Sequence, residues 1–175
     1  MSWSVVFLGV GGVGKTTYIY KLVGISKTPS LTRRPRTYFT ATELGRLFLV
    51  DIPGQRAVEV AKAYYEAVKA YGLRLDLAVY MYSVVEPETL DALWAIHEWA
   101  ARIPVGRRIV VGNKMDLGEE LGFMAEGDEV ARDIGASGLY YTSALRDDPE
   151  RLLMVLFENL PVEKGRGRGY LKRRD

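Results

Sequence analysis

Short apolar runs alternate along the chain with longer stretches in which apolar residues recur every three or four positions. Runs of four to nine mostly apolar residues predict strands, and the longer stretches predict amphipathic helices. Residues 38–43 alternate between polar and apolar, and a Leu-Gly-Arg turn joins them to the next apolar run, which predicts a hairpin. The predicted strands cover residues 5–8, 38–43, 47–50, 75–83, 108–112 and 139–142, and the predicted helices cover 17–23, 57–71, 86–102, 127–134 and 148–161.

The order βαββαβαβαβα determines the fold class that we expect. Alternating strands and helices favour right-handed crossovers, a parallel sheet and helices on both of its faces. The hairpin adds one antiparallel edge strand. We therefore expect an α/β protein with a mainly parallel six-stranded sheet. In such sheets ligands bind at the carboxyl ends of the strands.

A glycine-rich loop between the first predicted strand and the first predicted helix carries the clearest chemistry. Residues 9–16 read GVGGVGKT, which fits the phosphate-binding pattern G-x-x-x-x-G-K-[ST]. Glycines let backbone N–H groups point inward as an anion-binding nest, and the following helix N-terminus favours negative charge. Lys15 would bind the β- and γ-phosphates and contribute to catalysis, and the Thr16 hydroxyl would bind Mg²⁺. This loop predicts a P-loop NTPase.

Two further motifs follow predicted strands. In DIPGQ, Asp51 would hold the water shell of Mg²⁺, Gly54 would donate its N–H to the γ-phosphate, and Gln55 would orient the attacking water. In NKMD, the Asp116 carboxylate matches the two donors on the edge of guanine, a pair that adenine lacks.

The neighbours of Asp116 complete the predicted base site. The Lys114 stem would lie along the base, and Asn113 would brace the loop. After the last strand, Ser143 and Ala144 would offer a backbone N–H to guanine O6.

Together these motifs resemble those of the small GTPases of the Ras superfamily, and the resemblance covers residues 4 to about 161. The short span between Lys15 and Asp51, and Pro53 before the glycine, are more similar to the Arf branch and to the β-subunit of the signal-recognition-particle receptor. The resemblance implies GTP or GDP as ligand, Mg²⁺ as cofactor, and slow hydrolysis of GTP. The implied nucleotide-binding residues are Gly11, Gly12, Val13, Gly14, Lys15, Thr16, Thr17, Gly54, Asn113, Lys114, Asp116, Ser143 and Ala144.

Residues 25–37 match the family only loosely. The family uses a threonine there as a ligand of Mg²⁺; Thr32 has the best spacing to Asp51, and Thr37 is the alternative. The same loop holds Arg33, Arg34 and Arg36. One of these arginines would act as an arginine finger in cis, or all three belong to a solvated basic loop that contacts a partner.

Charge and composition bear on DNA binding, on the domain organisation and on the location of the protein. The formal net charge is +2, but residues 164–175 carry six basic residues and one acid, so residues 1–163 sum to −3 and specific DNA binding is not expected. We expect a GTPase domain over 1–163 and a flexible basic tail over 164–175. The tail is either solvated or a weak tether to anionic membrane or RNA.

Cysteine is absent, and no apolar run approaches the roughly 20 residues of a membrane span. We expect a cytoplasmic protein, with a peripheral membrane position as the alternative.

The sequence thus predicts a GTP-binding switch. Effectors, an exchange factor and an activating protein would contact residues 25–37 and 53–65, where Tyr64 and Tyr65 would form part of the surface. One rival is a docking subunit that holds GTP constitutively and hydrolyses little. A second rival, an ATP-dependent P-loop enzyme, is disfavoured by Asn113 and Asp116.

Overall fold

The computed structural model describes residues 1–72 and 74–161, so the predicted basic tail lies outside the described residues. These residues form one six-stranded sheet with helices around it. The elements are β1 Ser2–Leu8, α1 Lys15–Val23, β2 Arg36–Thr42, β3 Gly45–Asp51, α2 Ala57–Tyr71, β4 Leu77–Ser83, α3 Pro87–Ala100, β5 Arg107–Asn113, α4 Met115–Leu121, α5 Asp128–Asp133, β6 Gly138–Tyr141 and α6 Pro149–Phe157.

The sheet confirms the predicted fold class. Its strand order is β2-β3-β1-β4-β5-β6. Strand β2 pairs antiparallel with β3 at one edge, and the other pairings are parallel. Helix α1 contacts α6, whereas α2 contacts α3 and α3 contacts α5. Right-handed crossovers place these two groups on opposite faces of the sheet.

Strand β4 lies in the middle of the sheet, and all seven of its residues are buried. A parallel strand covered on both faces has no polar side, so its sequence is largely apolar up to Ser83 rather than alternating. The core continues through β1, β5 and the inner faces of the helices. This packed layer makes the sheet a rigid platform for the loops at its carboxyl edge.

The inner face of α3 differs in part from the expected stripe of Leu90, Leu93, Trp94 and Ala101. Leu90 and Leu93 are buried, and the stripe continues through Ile96 and Ala100. Ala101 is exposed because the helix has already ended at Ala100. Trp94 is half-buried at the side of the helix, where its indole N–H donates to the Asp133 carboxylate at 3.0 Å.

Helix α4 was not predicted, because it is only seven residues long and begins within the NKMD motif. Lys114 precedes it in the left-handed conformation, with φ 66°. Gly122 ends it in the same conformation. The chain therefore turns sharply after β5, and this turn sets the direction of the motif's side chains.

No helix among the described residues is long and apolar enough to cross a bilayer.

Candidate functional site

Four loops meet at the carboxyl edge of the sheet because β1, β3, β5 and β6 run in the same direction. The glycine-rich loop follows β1, Asp51 ends β3, Asn113 ends β5, and Thr142 follows β6. A cavity of about 450 Å³ opens at this edge. It is lined by Gly11, Gly12, Gly14, Lys15, Thr16, Thr17, residues 28–32, residues 51–54 and Lys114.

Lys15 lies under the glycine-rich loop, and its side chain is buried. Its ammonium donates to the carbonyl oxygens of Gly9 at 2.5 Å and Val10 at 3.1 Å. Burial lowers the pKa of Lys15 to about 8, although the nearby Asp51 carboxylate acts in the opposite direction. An anion in the cavity would therefore face a cation that the loop already holds in place.

Gly14 lies where the glycine-rich loop enters α1, and it precedes Lys15 in the left-handed region with φ 102°. A Cβ atom there would overlap the amide nitrogen of Asn113. Val13, in contrast, has its side chain in the core, so it offers the site only its backbone. The residue types at positions 13 and 14 are therefore restricted by packing beneath the loop as well as by the conformation of the loop.

Three oxygen-bearing side chains from separate segments meet beside Lys15. The Thr16 hydroxyl donates to Asp51 Oδ2 at 2.5 Å. The Thr32 hydroxyl lies 3.0 Å from that of Thr16 and donates to Asp51 Oδ2 at 3.2 Å. Thr37, the alternative, is an exposed residue of β2 paired with Val50. The structure therefore brings Thr32, and not Thr37, to the cluster.

The donor set of this cluster fits a hard divalent cation. Asp51 is fully buried, and none of the residues that the structure describes donates a hydrogen bond to its Oδ1 atom. An unpaired buried carboxylate oxygen is costly unless a cation or water compensates it. Mg²⁺ prefers carboxylate and hydroxyl oxygens and retains several waters. Among the described residues no three His, Asp or Glu side chains group as a metal site.

Gln55 lies beside this cavity rather than in its lining, against Gly11 of the glycine-rich loop. Its backbone N–H donates to the Glu59 carboxylate at 2.8 Å. A Cβ atom built on Gly11 would be 2.8 Å from the Gln55 amide oxygen, so the two residues are in close contact. Gly54 precedes it with a positive φ of 154°, which L side chains rarely adopt, and is packed closely against Val60. The side chain of Gln55 is exposed, and its neighbours Gly54 and Gly11 line the cavity.

Asn113 joins three loops through a side chain that is 2% exposed. Its amide donates to the Val13 carbonyl at 2.9 Å. Its amide oxygen accepts from the Thr142 hydroxyl at 3.1 Å and from the Ala144 N–H at 3.0 Å. Asn113 thus fixes the glycine-rich loop relative to the loop after β6.

The residues predicted to bind a base surround Asn113. The Asp116 carboxylate accepts from the Ser143 hydroxyl at 2.8 Å, which orients it. The Lys114 ammonium is 3.8 Å from the Glu86 carboxylate. The N–H groups of Ser143 and Ala144 already donate to Asp147 and Asn113. A base would have to compete with these protein oxygens for either backbone N–H. The sequence does not predict these hydrogen bonds.

Two residues beside this region were not among the predicted site residues. Leu145 follows Ala144 and is 71% exposed, and its carbonyl accepts from the Lys21 ammonium at 3.0 Å. A large apolar side chain in a polar loop was the signal that could have identified it. From the sequence, Glu86 could be recognised only as an acidic residue at the start of a helix. Its approach to Lys114 depends on the register of β4 and β5, which places Ser83 beside Asn113.

Residues 25–37 and 53–65 contain exposed apolar side chains. Leu31, Val58 and Tyr65 are each about 60% exposed. Tyr64 is 1% exposed and belongs to the core, so the prediction that it forms part of a surface is wrong. Consecutive helical residues point about 100° apart, and here Tyr64 faces the core while Tyr65 is 60% exposed.

Comparison with known proteins identifies the family. Residues 4–114, well over half of the chain, match the family model described as 50S ribosome-binding GTPase. The chain is also similar to the mouse Ras-related protein Rab-44, with 25% identity over 173 residues. That alignment covers 94% of this chain but only 17% of the mouse protein. The chain belongs to this GTPase family, and it is a small GTP-binding protein of the Ras superfamily.

Proposed function

We propose that this protein is a GTP-specific switch that hydrolyses GTP slowly with Mg²⁺, in a signalling, trafficking or polarity process. The observation that carries the proposal is the cluster of Thr16, Thr32 and Asp51. It joins the end of the glycine-rich loop, the loop before β2 and the end of β3 through hydroxyl–carboxylate contacts of 2.5–3.2 Å. This cluster supports the inference that the position of the loop before β2 depends on the ligand in the phosphate site.

The proposed chemistry assigns each residue a separate task. Lys15 and the N–H groups of residues 11–17 would bind the phosphates, and Gly54 would donate to the γ-phosphate. Gln55 would hold the attacking water by its exposed amide. Bound Mg²⁺ would neutralise charge on the phosphate oxygens, and Thr16, Thr32 and Asp51 would hold it. Catalysis of phosphoryl transfer needs mainly such positioning and charge stabilisation.

Base selection is proposed to rest on Asp116, with Lys114 along the base and Asn113 bracing the loop. The Ser143 hydroxyl already orients the Asp116 carboxylate. A carboxylate that loses both guanine donors is left desolvated and unpaired, so the wrong base is rejected strongly. Asp116→Ala should reduce the preference for GTP over ATP by ~100-fold or more. Equal affinity of the wild type for both nucleotides would contradict the proposal.

The switching elements are proposed to be the segments 25–37 and 53–63, which the γ-phosphate would order; residues 25–35 contain no helix or strand. The Thr32 side chain reaches the core of the site in contacts of 3.0 and 3.2 Å. When the γ-phosphate is lost, this loop would lose the contacts that order it and would become disordered, as switch segments do in other GTPases. Effectors and regulators would recognise the change at residues 25–37 and 53–65.

The alternative, a docking subunit that stays bound to GTP, is separated from the switch by kinetics. We expect multiple-turnover release of phosphate from the wild type and its loss in Gln55→Leu. Arg56→Leu, an exposed neighbour, is the matched control and should retain the wild-type rate. Tight GTP binding with no phosphate release from any of the three proteins would favour the docking subunit.

A weak contact of residues 164–175 with anionic membrane or RNA remains part of the proposal. It rests on charge alone, at about 1 kcal/mol per basic residue near an anionic membrane. Deletion of residues 164–175 should abolish salt-sensitive binding to anionic vesicles or RNA. Unchanged binding after the deletion would remove the tether from the proposal.

A further inference from the structure

A second cavity lies between the two proposed switch segments, next to the phosphate site. It has a volume of about 320 Å³, and Thr32, Arg33, Gly54 and Gln55 are among the residues that line it. Thr32 and Gly54 also line the larger cavity. The second cavity therefore adjoins the position at which a γ-phosphate would be attacked.

Arg33 is held at this cavity by its neighbour in sequence. The Thr32 hydroxyl contacts both Thr16 and Asp51, which fixes the backbone at residue 32. The next Cα lies only ~3.8 Å further along the chain. Arg33 therefore stays beside the phosphate site for as long as Thr32 holds its contacts.

The charges around this cavity make Arg33 distinctive. Of the described residues that line it, Arg33 is the only cationic one, and Glu59 is the acid. The Glu59 carboxylate accepts from the Gln55 N–H and so belongs to the opposite wall. Arg33 and Arg34 are both exposed, but Arg34 lines neither cavity. Arg36 is the first residue of β2 and also lines neither cavity.

We propose that Arg33 is a catalytic residue that stabilises the transition state of GTP hydrolysis in cis. This inference rests on the proposed hydrolysis of GTP. The water oxygen forms a bond to the γ-phosphorus as the bond to the β,γ-bridging oxygen breaks. The electron pair stays with GDP, and the proton of the water leaves with the phosphate. The guanidinium donates to the oxygens on which negative charge grows and is unchanged at the end.

A residue in this role contributes more to the transition state than to bound GTP. Removing it should therefore lower the rate constant while the affinity for GTP is kept. An arginine supplied within the same chain raises hydrolysis by about 10- to 100-fold in phosphoryl-transfer enzymes of this type. Lysine keeps the charge but loses the planar fork of donors, so it should restore only part of the rate.

The experiment is single-turnover hydrolysis of bound GTP with Mg²⁺, comparing the wild type with Arg33→Ala, Arg33→Lys and Arg34→Ala. We expect a loss of about 10- to 100-fold in Arg33→Ala, an intermediate rate in Arg33→Lys, and a rate within about twofold in Arg34→Ala. The affinities for GTP and GDP should stay within about threefold. The affinity of the GDP complex for aluminium fluoride, which mimics the transferred phosphoryl group, should fall at least ~10-fold in Arg33→Ala alone.

Three outcomes would overturn the inference. Equal rates in Arg33→Ala and Arg34→Ala would refute a role for Arg33 while leaving the proposed GTPase intact. A rate loss with weaker GTP binding and unchanged aluminium fluoride binding would mean that the substitution only displaces Thr32. A wild type that binds GTP but releases no phosphate would refute the proposed hydrolysis as well, and with it this role.

Discussion

The contact between Gly14 and Asn113 can be tested by a double-mutant cycle. Gly14 has φ 102°, and an added Cβ would overlap the Asn113 amide nitrogen that donates to Val13. Gly14→Ala therefore has two costs. Backbone strain contributes about 1–3 kcal/mol, and loss of the buried hydrogen bond contributes about 1–3 kcal/mol.

Asn113→Ala removes the same hydrogen bond together with those from Thr142 and Ala144, at 3.1 and 3.0 Å. We expect it to lower the free energy of unfolding by about 2–5 kcal/mol. In Gly14→Ala/Asn113→Ala the clash is gone and the hydrogen bond is lost only once. The double variant should therefore be more stable than the sum of the single effects by about 1–3 kcal/mol.

Gly12 provides the control, because it also has a positive φ, 81°, but a Cβ atom there would meet nothing within 4 Å. Gly12→Ala should show only the strain and should add to Asn113→Ala within about 0.5 kcal/mol. The measurement is urea unfolding of nucleotide-free protein in EDTA, followed by the fluorescence of the buried Trp3 and the other tryptophans. Additivity of Gly14→Ala and Asn113→Ala, as in the control, would refute the argument from the clash.

Three further predictions concern other parts of the site. The pKa of Lys15 in the folded protein is about 8, below its ordinary 10.5. Between these two values the unfolded chain binds more protons than the folded protein. The free energy of unfolding of the nucleotide-free protein should therefore rise by about 2 kcal/mol between about pH 7.5 and 9.5. Lys15→Met should remove that gain in urea unfolding, and an unchanged slope would contradict the assignment. Gly11→Val should displace the Gln55 amide, 2.8 Å from the added Cβ, and slow single-turnover hydrolysis at least ~10-fold with GTP affinity kept; a wild-type rate would show that the contact is irrelevant. Tyr64→Ala should cost about 3–5 kcal/mol in thermal or urea unfolding, and Tyr65→Ala less than about 0.5 kcal/mol; equal effects would contradict the burial of Tyr64 alone.

The sequence by itself determined the fold class, the order of the elements except α4, and the nucleotide motifs. These are local properties, because strand and helix periods, glycine freedom and the spacing of a phosphate loop are written over a few adjacent residues. The loop of residues 9–16 and the Asn-Lys-x-Asp motif could be recognised without knowing what lies near them. Family membership followed from these motifs, and the match over residues 4–114 agrees with it.

Only the tertiary structure decided which residues of distant segments meet. Thr32 and Thr37 were both candidates along the chain, and the choice came from the 3.0 and 3.2 Å contacts of Thr32. Likewise, Arg33 became distinct from Arg34 only through the cavity that it shares with Gln55. Such contacts depend on sheet register and loop path, which many residues determine jointly. A loop without a hydrophobic period carries no local signal of where it folds.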